Sequence, residues 1–146
     1  MKYLVATTFP PEFLRSAARL YKIAGWVDEG DGCEFLAAAL KNSCAVCAAF
    51  ADDGKLIGMG RALGDGVSDA YIQDVVVDPE FRRRGVGGTI VRTLAAELRS
   101  RGIDWIGLVG EPGTEEFYRS LGFSAPAGFT FWRLGQTGRG VKCDLS

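Results

Sequence analysis

Val75-Val76-Val77-Asp78-Pro79-Glu80-Phe81-Arg82-Arg83-Arg84-Gly85-Val86-Gly87-Gly88 is the stretch on which the reading of this chain turns. Three β-branched residues in succession favour a buried, extended strand. Pro79 cannot donate to a ladder and ends it. Glycines at 85, 87 and 88 let the backbone bend tightly and leave its amides uncovered. Beyond them Val86, Ile90, Val91, Leu94 and Leu98 recur at helical spacing, opposite Arg92, Glu97 and Arg99. A helix is therefore expected over about 86–101, with Gly102 just past its end. The first amides of a helix lack internal partners and point outward as donors. Strand, glycine turn and helix N-terminus together make an anion cradle suited to a diphosphate. Arg82, Arg83 and Arg84 sit where positive charge is unfavourable unless an anion compensates it, which argues against a merely solvated charge run. The dinucleotide fingerprint GxGxxG fails because Ile90 occupies its third glycine position, and there is no GK[ST] of a P-loop.

Working outward, a strand over 2–8 gives way at Pro10-Pro11 to a helix over 11–24, whose stripe is Phe13, Leu14, Ala17, Leu20 and Tyr21. A loop over 25–32 precedes a short helix over 33–41. Asp52-Asp53-Gly54 joins two strands, 45–51 and 55–63, as a hairpin. A central strand over 70–77, the long helix and a strand over 103–109 make a strand–helix–strand unit, which requires parallel strands and a right-handed crossover. A helix over 114–120 starts at Thr114 as N-cap, with Glu115 and Glu116 in its first turn. Further strands are expected near Phe123 and over 129–134, then a loose tail over 135–146. The sheet is mixed, and the whole of 1–146 reads as a single domain.

Bulk properties narrow the function classes. The 146 residues can close one core, and 47% hydrophobic with 24% charged residues is ordinary for a globular chain. A net charge of −1 gives no support to general nucleic-acid binding. No apolar run approaches the ~20 residues that span a bilayer, so no membrane partner is expected. The N-terminus shows no signal-peptide pattern, which makes a cytoplasmic protein the default. Cys44 and Cys47 form a CxxC, yet they fall in an apparent strand, where residues three apart point to opposite faces. With no second CxxC and no histidine, buried reduced thiols are favoured and no metal is expected.

The spacing V-x-P-x-x-R-x-x-G-x-G, met by Val77, Pro79, Arg82, Gly85 and Gly87, closely resembles the acyl-CoA-binding motif of the GNAT superfamily of N-acyltransferases. A second mark, Phe117-Tyr118-Arg119-Ser120-Leu121-Gly122-Phe123, lies at the family's distance downstream. The likeness is clear over about 45–134 and weak before it. It implies an α/β (α+β) fold with a mixed, mostly antiparallel central sheet of about six to seven strands, a splayed parallel pair, and about four flanking helices. It implies acetyl-CoA as co-substrate, with backbone groups of Val75, Val76 and Val77 pairing with the pantetheine arm. Amides of Arg83 to Gly88, including Val86, would hold the pyrophosphate, and an amide near Val76 would polarise the thioester carbonyl. Tyr118 would protonate the departing thiolate, a role that suits a phenol with pKa near ~10. Many relatives carry Asn seven residues before this tyrosine; here it is Glu111.

An acceptor amine arrives as ammonium and must lose a proton. Asp74, just ahead of the valines, is the leading base, against the alternative that it simply pairs with an arginine; Asp28, Glu29 and Asp69 are weaker rivals. Trp26 and Trp132, with Phe9 and Phe131, could line an acceptor pocket or fill a core. Tyr71-Ile72-Gln73-Asp74 and Gly58-Met59-Gly60-Arg61 look like the plant and cyanobacterial arylalkylamine-type branch of the superfamily. The expected reaction is direct transfer of an acetyl group to the primary amine of a small molecule. A protein N-terminus or lysine, or a non-catalytic acyl-CoA-binding role, stays as an alternative. The resemblance also allows a homodimer.

Overall fold

The computed structural model describes residues 1–135. Its frame is a five-stranded sheet whose spatial order equals chain order: β1 (Lys2–Val5), β2 (Ala45–Phe50), β3 (Leu56–Gly64), β4 (Asp69–Val77) and β5 (Trp105–Leu108). The first four strands pair antiparallel, and β4 pairs parallel with β5. Four helices flank it: α1 (Pro11–Ile23), α2 (Phe35–Lys41), α3 (Val86–Ser100) and α4 (Glu115–Ser120).

Alternation along the strands sorts the core into two layers. Ala45, Cys47 and Ala49 of β2 face α3, packing with Ile90, Val91, Leu94 and Leu98. Val46 and Ala48 face the other way, onto Ala17, Leu20 and Tyr21 of α1 and Leu36 and Leu40 of α2. The α3 layer comes very close to the sheet. A Cβ added to Gly60 would lie 2.9 Å from Ile90 Cγ2 and 3.2 Å from Leu94 Cδ1, so glycine there sets the helix–sheet spacing.

Two irregularities place the site. Met59 opposes Val76 and Arg61 opposes Gln73, so Asp74 and Val75 together face the single residue Gly60. This is a β-bulge, with Asp74 at φ 54° in the left-handed region that a non-glycine residue seldom adopts. Directly beside it the parallel ladder stops: β4 and β5 pair from Asp69↔Trp105 to Ile72↔Leu108 and no further. Past that point the two strands separate, giving the splayed pair.

Three helices end alike. In α1 the amides of Gly25 and Trp26 donate to Lys22 O and Tyr21 O; in α3 those of Gly102 and Ile103 donate to Arg99 O and Leu98 O; in α4 those of Gly122 and Phe123 donate to Arg119 O and Tyr118 O. Each is a Schellman cap, in which a left-handed residue closes the helix and the next apolar side chain folds back on the last turn.

These caps explain two departures from the sequence expectation. Phe123 is used as a helix terminator, its ring 5.9 Å from that of Tyr118, and is not part of a strand. Ile103 likewise closes α3, which shortens β5 at its start. Residues 129–134 also form no strand: Phe129, Trp132 and Leu134 are 84%, 86% and 93% exposed. Their β-propensity finds no ladder partner, and propensity without packing does not make a strand. The sheet thus has five strands among the described residues, not six to seven. The tail expected over 135–146 lies, apart from Gly135, outside the described residues.

Cys44 precedes β2 and packs on the same layer as Cys47, not on the opposite face, because the strand's alternation starts only at Ala45. Burial pushes the Cys47 thiol up to about 11, which leaves it a protonated core group.

Candidate active site

Where β4 and β5 part, a cleft of about 640 Å³ opens. One wall is the bulged end of β4 (Gln73, Asp74, Val75, Val77); the floor at one side is the turn into α3 (Arg82, Arg83, Gly85 to Gly88). The facing wall comes from the end of β5 and from α4: Val109, Glu111, Thr114, Phe117 and Tyr118. Trp26 also reaches it from the cap of α1.

The turn is built as its residues dictate. Asp78 caps a short 3-10 helix (Pro79–Phe81) by accepting from Glu80 N at 3.1 Å. Arg83 and Gly85 then adopt φ values of 63° and 79°, reversing the chain. The first bond inside α3 runs from Thr89 N to Gly85 O at 3.0 Å, and no side chain caps the amides of Val86, Gly87 and Gly88 that precede it. At Gly87 an added Cβ would lie 3.4 Å from the Phe117 ring, in ordinary contact across this side of the cleft. Arg82 folds back, its Nε donating to Val77 O at 3.1 Å. Arg84 lies over the Phe81 ring at 5.3 Å, outside the lining. Val76 turns away into the α1–α2 layer.

Tyr118 is half-buried and faces the cleft. Burial, and then the carboxylate of Glu111, hold its hydroxyl above the usual phenol range, so it is a protonated donor. Its position is fixed from both ends of α4. Thr114 is the N-cap residue, but its hydroxyl donates back to Glu111 O and caps no amide; Tyr118 N donates to Thr114 O. Phe123 closes over the other side.

Asp74 lines the cleft and is held from behind. Its Oδ2 accepts from Tyr21 Oη at 2.7 Å and from Arg61 Nε at 2.8 Å. Arg61 is 8% exposed and also donates to Ala39 O and Ser43 Oγ. Burial, then Asp74, push the Tyr21 hydroxyl far above its ordinary value. Sequence reading placed Tyr21 only in an apolar stripe and gave Arg61 no role. The available signal was an arginine inside the otherwise apolar strand Leu56–Gly64.

Of the two tryptophans considered for an acceptor pocket, Trp26 lines the cleft and packs edge-on against Tyr21 at 5.1 Å. Trp132 is 86% exposed and not part of the lining. Phe9 packs on Phe13, and Phe131 is exposed. Asp28, Glu29 and Asp69 are exposed and also outside the lining. Among the described residues no group of three or more Cys, Asp or Glu is placed to hold a metal ion.

The model of the Acetyltransferase (GNAT) family matches residues 8–123 of this chain. The chain belongs to the GNAT family. This GNAT-family chain is 40% identical over 87 residues to serotonin N-acetyltransferase 2, chloroplastic, of Oryza sativa subsp. japonica, covering 57% of this chain and 44% of that protein. It is 39% identical over 110 residues to a histone acetyltransferase of Glycine max, covering 66% and 48%. The match therefore spans less than half the length of either relative. A GNAT-family protein of Streptococcus pneumoniae TIGR4 shares its fold with a TM-score of 0.74 at 24% identity, covering 92% of this chain and 98% of that one. So does an aminoglycoside 6′-N-acetyltransferase complexed with coenzyme A, with a TM-score of 0.72 at 20% identity, covering 84% of each.

One expectation is overturned here. The cytoplasmic default does not stand beside relatives that are chloroplastic, the rice enzyme and two GCN5-related N-acetyltransferases of Arabidopsis thaliana among them. Among the described residues no helix is long and apolar enough to cross a membrane.

Proposed function

We propose that this protein transfers an acetyl group from acetyl-CoA to the primary amine of a small molecule. The observation that carries the reading is the cleft itself. A row of uncapped amides at the start of α3 and a protonated tyrosine on α4 line one continuous space beside a strand end that has lost its neighbour.

The residues fit the coenzyme. The amides of Val86, Gly87 and Gly88, with Arg82 and Arg83 beside them, suit a diphosphate. The free edge of β4 at Val75 to Val77 suits an extended amide-bearing arm, although Val77 O already accepts from Arg82. The coenzyme supplies an acetyl group activated as a thioester. The chain's own residues then orient it against the amine, which is where most of the acceleration arises. Tyr118 donates its hydroxyl proton to sulfur as the C–S bond breaks. The amine attacks as the neutral base, its ammonium proton having passed to water, and Tyr118 recovers a proton from the nitrogen that has gained the acetyl group.

Asp74 is better suited to hold the strand than to take the amine's proton, because Arg61 compensates its charge and Tyr21 occupies the same oxygen. A protein acceptor is the second reading, favoured by the likeness to the soybean histone acetyltransferase. Isothermal titration with acetyl-CoA, followed by thiol release with a panel of aromatic amines, polyamines and peptides, tests the proposal. Tight coenzyme binding with turnover on a small amine is expected. No binding would remove the reading altogether, and turnover on peptides alone would favour the second.

A further inference from the structure

Asp74 carries the left-handed φ of 54° at the bulge of β4, a value that L residues seldom hold unless their surroundings impose it. The imposing groups lie behind the strand. The Asp74 side chain is only 9% exposed, and its Oδ2 accepts from Tyr21 Oη of α1 at 2.7 Å and Arg61 Nε of β3 at 2.8 Å. Neither donor is part of the cleft lining. Both are themselves fixed. Tyr21 is fully buried, its ring edge-on to Trp26 at 5.1 Å and to Phe35 at 6.1 Å. Arg61 also donates to Ala39 O of α2 and to Ser43 Oγ, which donates to that same carbonyl at 2.7 Å. A buried ion pair adds little stability over an apolar pair of similar size, so a charged lock in an otherwise apolar strand calls for a role beyond stability.

The direction of the backbone supplies that role. Asp78 N donates to Ile57 O at 2.7 Å, and Val76 opposes Met59. Peptide groups alternate along a strand, so those of Val76 point to β3, and those of Val75 and Val77 point to the edge that β5 has left. Val77 O, which accepts from Arg82 Nε, agrees with this direction. Ahead of the bulge, Ala62 O accepts from Cys44 N on the far side of β3, so Arg61 and its partner Gln73 turn their peptide groups to each other. A regular strand would continue from Gln73 with Val75 and Val77 turned to β3 and Val76 turned to the cleft. We infer that Tyr21 and Arg61 are positioning residues for the coenzyme arm: by gripping Asp74 they keep the bulge, and the bulge presents the peptide groups of Val75 and Val77 to the cleft. This rests on the acetyl-transfer reading given above.

The test separates the backbone at residue 74 from its charge. Two triple variants share Tyr21→Phe and Arg61→Met and differ only in the third change, Asp74→Gly in one and Asp74→Ala in the other. Both lack the carboxylate and its partners, but glycine adopts a φ of 54° without help and alanine does not. In the ligand-free proteins, amide hydrogen exchange at Val76 is read relative to that at the buried Leu94 of α3, which reports global opening. The alanine variant is expected to exchange roughly tenfold faster at Val76 than the glycine variant. Calorimetric titration should show the alanine variant binding coenzyme A roughly tenfold more weakly than the glycine variant, with no turnover involved. Equal exchange in the two would overturn the lock. Faster exchange with equal affinity would make the lock purely structural and overturn its part in the site. Should the triple variants fail to fold, Asp74→Ala against Asp74→Gly in the otherwise intact chain gives the same comparison. An intact protein that binds no coenzyme A would end the acetyl-transfer reading, while the exchange comparison still decides whether these side chains hold the strand.

Discussion

Tyr118 is the residue whose chemistry is easiest to isolate. Burial and Glu111 raise its hydroxyl above the ordinary 10.0, so it stays protonated throughout the neutral and mildly alkaline range. If Tyr118 is the thiolate's proton donor, as proposed, the alkaline limb of kcat should lie above pH 10. Tyr118→Phe is expected to lower kcat by roughly a hundredfold or more and to abolish that limb, with coenzyme affinity nearly unchanged. A steady-state pH profile of both proteins checks this; an unaltered kcat would take Tyr118 out of the mechanism. At this scale the sequence was legible wherever a residue's role depended on its neighbours in the chain. Gly85 and Gly87 could be read because a tight reversal needs them between Arg84 and Ile90. Asp74 was visible, but its partners Tyr21 and Arg61 lie 53 and 13 residues away. Only the fold brings those three side chains together.

Among the elements, α3 and the strand beneath it carry the sharpest test of packing. Gly60→Ala would push a methyl group to within 2.9 Å of Ile90 Cγ2, between side chains that have no room to yield. A loss of about 1–3 kcal/mol is expected, seen as a lower urea midpoint with unchanged slope. Gly30→Ala, with nothing within 4 Å, should stay within about 0.5 kcal/mol and serves as the control. Elements defined by strong periodicity were readable to within a residue or two, as with α3 over Val86–Ser100 against an expected 86–101. Beside the missing strand over 129–134, errors fell on Ile103 and Phe123. Both look like strand residues by composition, and both are consumed by helix caps, where the hydrogen bond back to the last turn outcompetes extension. The bulge at Asp74 is implied by the family resemblance but not by the residues themselves, because an extra residue in a strand leaves no mark until its partner is known.

For the molecule as a whole, Asp78 ties distant parts together. It is buried, and it joins α1 through Arg19 (2.7 Å) to the β2–β3 hairpin through Lys55 (3.3 Å) and to the chain entering the glycine turn. Burial alone would raise its carboxyl, but the hydrogen bonds from Arg19, Glu80 N and Lys55 outweigh it and hold the group below its ordinary 3.8. A depressed folded value means that the stabilisation is present above the unfolded value and is lost as pH falls through the folded one. Stability should thus decline below about pH 4. Asp78→Asn should lower stability at neutral pH by about 1–3 kcal/mol and flatten the acid decline; urea melts between pH 2 and 7 would show it. A variant keeping the full acid slope would place the effect elsewhere.

The bulge has one more consequence at this scale. Ala70 and Ile72 meet the α3 layer from even positions, whereas Val75 and Val77 meet it from odd ones, and Val76 belongs to the α1 layer. The central strand therefore reverses its parity at residue 74 while every apolar side chain keeps to its own side. Excising that residue would restore one unbroken parity and misplace no core group. A chain shortened in this way, with Tyr21→Phe and Arg61→Leu to remove the stranded polar partners, should still melt cooperatively yet lose its grip on coenzyme A. The architecture would survive the loss of the one amino acid that bulges the strand beside its cleft.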